Sequence, residues 1–271
     1  MEIFGITRDP QSIFYPLAAD DDREEHIEKH GAFNALRSFF DRLGAESNTD
    51  KSWDPEDLFA QRTDILTLLD RWNMDFGALL KRDPGQQQAP EAISYLQMYH
   101  LASLVWTSTR LETTELVFDH FIPQFRELIR HAEVYVRATA LQLPIFTFEI
   151  GAVLPLFFMG SKCRVPSLRR QALDLILQCP RKESTFGAYS CAQAICRLIT
   201  IEEEGLGLPD PDLSGRCGLR NIDDLVVVPE DRRVHSFDLL KNRRERHYEL
   251  RVTRYRTRNG IFERVVENFP I

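Results

Sequence analysis

Three groupings of side chains in this chain have types and spacings that could do chemistry: His26 with His30, Asp119 with His120, and the run Asp20-Asp21-Asp22. His26 and His30 are four residues apart, which would put two imidazoles on one helix face in the manner of paired metal ligands. The residues between them are Ile27-Glu28-Lys29. The glutamate that follows the first histidine of a metalloprotease helix is therefore missing, and the surrounding Glu24, Glu25, Glu28 and Lys29 read as a solvated face. Asp119 and His120 offer an acid/base pair beside an aromatic helix face. Neighbours on a helix point about 100° apart, so adjacency alone does not make a hydrogen-bonded dyad. The three aspartates could hold a hard cation or begin the helix that follows, where negative charge is favoured. G-x-S-x-G, G-x-G-x-x-G and P-loop patterns are absent from the sequence, so it assigns no reaction, no cofactor and no metal.

The cysteines exclude one further chemistry. They are Cys163, Cys179, Cys191, Cys196 and Cys217, with no C-x-x-C among them. Closed zinc sites need thiolates brought together by short loops, so five scattered cysteines read as reduced, mostly buried thiols of an intracellular protein. Cys163 stands between Lys162 and Arg164, whose charge would favour a thiolate, but it follows an apolar run and has no evident base. It is expected to be structural.

The elements that must position these residues are mainly helices. The spacing predicts a helix of Asp22–Leu43 with Phe33, Leu36, Phe40 and Leu43 inward. A longer one follows Asp54-Pro55, a cap and a first-turn proline, with Leu58, Ile65, Leu69, Trp72, Phe76 and Leu79 recurring at threes and fours until Asp83-Pro84-Gly85. A third helix begins near Pro90. A fourth runs from about Thr114, with Pro123 as an expected kink. Further helices are expected around Leu154, over Pro166–Gln178, and over Ala188–Glu204 with Gly205 closing it. The most apolar stretch, Leu141–Gly160, holds Glu149, Pro144 and Pro155, which favours a buried central helix over a membrane span. MEIFGITRDP has neither the basic nor the apolar region of a secretory signal. The fold expected is mainly α: stacked antiparallel helix hairpins with a small C-terminal β-hairpin element. Residues 1–205 form the helical part, and 206–271 a linker and small β appendage packed on it. A chain of 271 residues can bury roughly 75% of its unfolded surface, so it needs no disulfide or metal staple.

Net charge is −7 and unevenly spread: residues 230–271 carry eleven Lys or Arg against seven Asp or Glu, leaving the rest at −11. An acidic body does not attract polyanions at long range. In the basic tail Arg251, Arg254, Arg256 and Arg258 alternate with Tyr248 and Tyr255, a composition that could contact phosphates and stack on bases. Asn259-Gly260 is a strong two-residue hairpin signal. It would set Arg256 opposite Glu263, Arg254 opposite Val265, Tyr255 opposite Arg264 and Thr257 opposite Phe262, so pairing across the hairpin uses part of the positive charge.

A separate pattern runs through Phe148–Glu204: Gly151, Pro155, Leu156, Phe157 and Phe158, then Lys162-Cys163-Arg164, then Pro166, Arg169, Arg170, Ala172, Leu173 and Leu175, then Ile201 to Glu204. Tyr99-His100-Leu101, Glu115, Phe118, Asp119, Pro123 and Phe125 precede it, and Val228-Pro229-Glu230 follows. Over residues 90–271 this resembles the C-terminal regulatory region of fungal six-cysteine zinc-cluster transcription factors, the fungal-specific transcription factor domain. Two departures stand out: Phe186 replaces a tryptophan usual in the family, and the zinc cluster itself is missing from this sequence.

The resemblance implies a regulatory module of fungal metabolism that senses a small hydrophobic ligand or docks a protein coregulator or a second copy, and acts in the nucleus. An alternative is an enzyme or accessory protein of secondary metabolism recruited from the same scaffold, which would be cytoplasmic. Specific DNA binding by this chain alone is not expected. Under either reading the expected pocket takes aromatic area from Phe146, Phe148, Phe157 and Phe158 and polar groups from Glu149, Asp119 and His120.

Overall fold

In a computed structural model the described residues are 4–5, 55–82, 90–139, 146–147, 151–180, 182–183, 186–213, 222, 224–242, 247–258 and 261–270. The expected helix Asp22–Leu43, with His26, His30 and Asp20 to Asp22, lies outside them, as do Phe148, Glu149 and Cys217.

Helices dominate. Helix α1 spans Pro55–Arg82, opening on Glu56 and Asp57 and closing on Lys81 and Arg82, charges that complement the helix dipole. Leu58, Ile65 and Leu69 are buried, whereas Leu79, expected inward, is 44% exposed. Its partner is α2, Pro90–Thr109, whose buried residues run around its circumference: Met98, Tyr99, His100, Ala102, Val105 and Thr107. It packs against α1 and also against α3 (Ile122–Thr139) and α4 (Val153–Lys162). A helix enclosed from several sides loses the single apolar stripe of a surface helix.

The expected Pro123 kink is a change of helix type. Glu115–Phe121 is a 3-10 helix, capped by the Thr114 hydroxyl accepting from the Leu116 N–H, and α3 starts at Ile122. Proline as the second residue of an α-helix removes no intrahelical hydrogen bond, so it marks a start rather than a bend. The apolar stretch is likewise not one helix. Phe146–Thr147 is a short strand, β2, and the helix begins only at Val153. Pro155 is the third residue of α4, where its missing N–H costs nothing, so it interrupts no helix ladder. From Val153 to Ser161 every residue of α4 is buried, which makes it the central helix. Helix α5 (Pro166–Gln178) matches the expected bounds, and α6 (Ala188–Glu203) ends on Gly205 at φ +71°. Gly160 lets α4 approach α6, since a Cβ there would lie 2.7 Å from Ile195 Cδ1.

Two small sheets complete the fold. Lys182–Glu183 (β3) pairs parallel to β2 and antiparallel to Phe186–Gly187 (β4). At the C-terminus, β5 (Val234–Asn242), β6 (His247–Arg258) and β7 (Ile261–Pro270) form an antiparallel sheet, with Phe4–Gly5 (β1) added to the free edge of β5. The β6/β7 register is the one the hairpin signal sets: Arg254 opposite Val265, Tyr255 opposite Arg264, Arg256 opposite Glu263, Thr257 opposite Phe262. Beyond the expected hairpin, β5 is a third long strand. Val234, Phe237, Leu250 and Val252 from this sheet share one hydrophobic core with the helices. No helix among the described residues is long and apolar enough to cross a membrane.

Candidate ligand cleft and the ionic cluster beneath it

Charged residues inside apolar sequence must find partners, because an isolated buried charge is prohibitively costly. Lys162 at the end of α4, Arg164 just after it, and Arg169 and Arg170 on α5 all face this demand. Their partners come from far along the chain. Glu202 and Glu203, in the last turn of α6, are 0% and 7% exposed, and Glu115 begins the 3-10 helix, also buried. Arg164 reaches Glu202 and Glu115, each at 2.9 Å; Lys162 reaches Glu115 at 2.7 Å; Arg169 reaches Glu202 at 2.7 Å; and Arg170 reaches Glu203 at 2.7 Å. Arg233, after the short 3-10 turn Glu230–Arg232, pairs in bidentate fashion with Asp119 at 2.7 and 2.9 Å.

The same cluster pins the sheet to the helices. Glu202 accepts the Val234 N–H at 2.7 Å, Arg164 donates to the Val234 carbonyl at 3.1 Å, and Lys162 donates to the His235 carbonyl at 2.8 Å. The first two residues of β5 are therefore bonded through ionised side chains, and hydrogen bonds to charged groups are roughly twice as strong as neutral ones. Some buried atoms, such as Arg169 Nη1 and Glu202 Oε2, are close enough to pair but not aligned for a hydrogen bond.

Electrostatics follow from that packing. Burial alone would push the Glu202 carboxyl up, but the Arg164 and Arg169 guanidiniums outweigh it and hold the group below the ordinary carboxylate range. Burial disfavours the Arg164 cation, yet Glu202 and Glu115 overcome this and raise its pKa. For Lys162 burial wins and its pKa falls, with Glu115 pulling it back up. Cys163, in the middle of this motif, is 1% exposed, and burial raises its thiol to about 11, which makes it inert as a nucleophile.

Above the cluster opens a cleft of about 630 Å³ between the helices and the sheet, within the size range of small-molecule sites. Trp106, Phe118 and Phe158 line its helical side, with Phe237 and Tyr255 on the sheet side. Trp106 stacks on Phe158 at 5.3 Å between centroids, Phe118 meets Phe158 edge-on and Phe125 lies tilted against it. The polar lining includes Glu115, Lys162, Glu230, His235 and Ser236. Glu230 Oε1 accepts from the Thr114 hydroxyl and the Glu115 N–H, both at 2.9 Å, and lies 3.4 Å from His235 Nε2. Burial lowers the His235 pKa while Glu115 and Glu230 raise it, the net being downward, so the imidazole is neutral at pH 7. His235 also meets the edge of Tyr255 at 4.7 Å.

Of the expected pocket residues whose side chains are described, only Phe158 lines this cleft. Phe157 does not line it but packs edge-on against Phe237 at 5.7 Å. Asp119 is engaged by Arg233, and His120 is exposed, so the two do not act as a pair. Phe146 sits in strand β2. Phe148 and Glu149 lie outside the described residues. The arginines of the tail find a structural use in Arg254, which pairs with Glu267 across β6 and β7. Sequence reasoning missed Trp106, Lys162, Glu230, His235, Phe237 and Tyr255 as cleft residues. The legible signal was the surplus of basic residues at Lys162–Arg170 against the acidic run Glu202–Glu204, which predicts that the two segments meet. Among the described residues no group of three His, Cys, Asp or Glu side chains could hold a metal ion. No family model, curated protein or solved structure matches the chain.

Proposed function

We propose that this chain is a transcription-factor-like regulatory module of fungal metabolism that senses a small hydrophobic molecule in the cleft and passes its occupancy to a coregulator or a second copy. One observation carries the reading. The residues of the resemblance, Lys162, Arg164, Arg169, Arg170, Glu202 and Glu203, meet with Glu115 in one buried cluster, from which Lys162 and Glu115 reach the lining of an aromatic cleft between helices and sheet. An occupant touching Trp106 and Phe158 on one side and Phe237 and Tyr255 on the other bears on the joint that the cluster fastens. Differential contact with two positions of that joint is what a sensor requires. Nothing in this arrangement asks for a nucleophile or a metal, and such a module acts in the nucleus.

A second reading, an enzyme or accessory protein acting in the cytoplasm on a hydrophobic metabolite, is favoured by the Glu230 and His235 side chains 3.4 Å apart at the cleft. Fusing the full chain to a heterologous DNA-binding domain and reading a reporter separates the two. The regulatory reading expects output different from that of the DNA-binding domain alone, and a change in it when Trp106→Ala narrows the aromatic wall. A folded fusion with no effect on the reporter, wild type and variant alike, contradicts it.

A further inference from the structure

The charge and the unpartnered polar atoms of the cleft define what chemistry its occupant must have. The charged residues that line the cleft are Arg110, Glu112, Glu115, Lys162 and Glu230, and with Arg62, which pairs with Glu112, they make three cations against three carboxylates; Lys162 pairs with Glu115, and Glu230 accepts from the Glu115 N–H. The lining is thus balanced without any ligand charge, and a charged ligand would have to be desolvated with no free counter-charge to meet it. The walls are aromatic, which suits a flat apolar body.

Two polar atoms beside those walls have no hydrogen-bond partner: Glu230 Oε2, an acceptor, and His235 Nε2. Both atoms are buried, while the side chains that carry them line the cleft and are 24% and 14% exposed. To meet an occupant, the carboxylate or the imidazole must turn toward the cleft. A buried acceptor left unmatched is costly, so a group that donates to Glu230 gains more than an average hydrogen bond. A hydroxyl can do this and at the same time accept from His235 Nε2 in its N–H tautomer.

Building on the sensor reading above, we infer that the cleft takes a neutral, planar hydroxylated aromatic molecule, its rings against Trp106, Phe158, Phe237 and Tyr255 and one hydroxyl between Glu230 and His235. The affinity comes from the aromatic body, and the choice of ligand comes from the hydroxyl.

Calorimetric titration of the full chain with 2-naphthol and with 2-methoxynaphthalene tests this. The two probes share a ring system, but the methyl ether cannot donate. Binding of 2-naphthol at least about tenfold tighter than of its ether is expected, since a site built to receive a donor discriminates against analogues lacking it. Glu230→Gln keeps an oxygen for the Thr114 hydroxyl and Glu115 N–H, and His235→Phe keeps the edge contact with Tyr255. Each is expected to erase the preference for the naphthol over its ether. Equal binding of the two probes by the wild-type chain overturns the hydroxyl assignment whatever the variants do, and leaves the reporter test of the regulatory reading standing. Absence of binding by either probe overturns the aromatic ligand class as well. Tight binding of 2-naphthol together with a silent reporter would keep the ligand class and reject the sensor.

Discussion

Replacing Glu202 with Gln removes one negative charge from the centre of the ionic cluster and little else. The side chain is fully enclosed and holds Arg164 at 2.9 Å, Arg169 at 2.7 Å and the Val234 N–H at 2.7 Å. Glutamine can keep one acceptor for Val234, but its amide then faces two guanidiniums that cannot give up their protons. Breaking a buried pair by neutralising one partner costs about 3–5 kcal/mol. In a domain of this size each kcal/mol lowers the melting temperature by about 2–4 °C, which gives a drop of roughly 6–20 °C. The control is Glu204→Gln, at the exposed end of the same acidic run, where about 0.5 kcal/mol or less is expected. Thermal melts followed by circular dichroism, with urea titration for the free energy, read both. If Glu202→Gln melts with the wild type, the cluster is not a structural joint and the reasoning fails. The pH dependence has a fixed sign. Because the folded Glu202 pKa is depressed, its contribution is present above about pH 4.5 and is lost as the pH falls through the folded value.

His100, bonded to the Leu69 carbonyl at 3.1 Å and stacked on Trp72, has a pKa lowered by burial. Stability should therefore fall as the pH drops below 6.5, the unfolded value, and His100→Phe should flatten that decline in melts between pH 7 and 5. Cys163 should react with a thiol reagent at pH 7 only as fast as the protein unfolds, so rapid labelling of the folded chain would contradict its burial. Gly160→Ala should cost about 1–3 kcal/mol through the clash with Ile195, and Ile195→Val in the same chain should recover part of it in urea titrations. Phe157→Ala should cost about 3–5 kcal/mol, since its ring is enclosed against Phe237.

Helix bounds were legible wherever the sequence marks them chemically: Pro55, Pro90 and Pro166 open α1, α2 and α5, and Gly205 closes α6. The hairpin register was legible because Asn259-Gly260 fixes the turn length and period-two pairing does the rest. Strand β5 and the two-residue strands were not, since their partners lie far away in sequence and only tertiary contact selects them. The apolar stretch misled for a related reason. Continuous hydrophobicity reports burial, not helical or extended backbone, so Phe146 falls in a strand and Val153 in a helix. The cleft was the least legible part. Trp106, Phe158, His235 and Tyr255 come from four elements, and no local pattern says that two helices and two strands will face each other there. What the sequence did carry was the charge imbalance of the motif segments, which burial turns into attraction between α5 and the end of α6.

Hydrogen exchange resolved along the chain tests most directly whether one ionic cluster fastens the sheet to the helices. In Glu202→Gln the amides of Val234 to Phe237 should lose protection first and most, while those of α2 and α3, which do not touch Glu202 in the cluster, keep theirs. Loss of protection spread evenly over the chain, or confined to α6 with β5 unchanged, would contradict it.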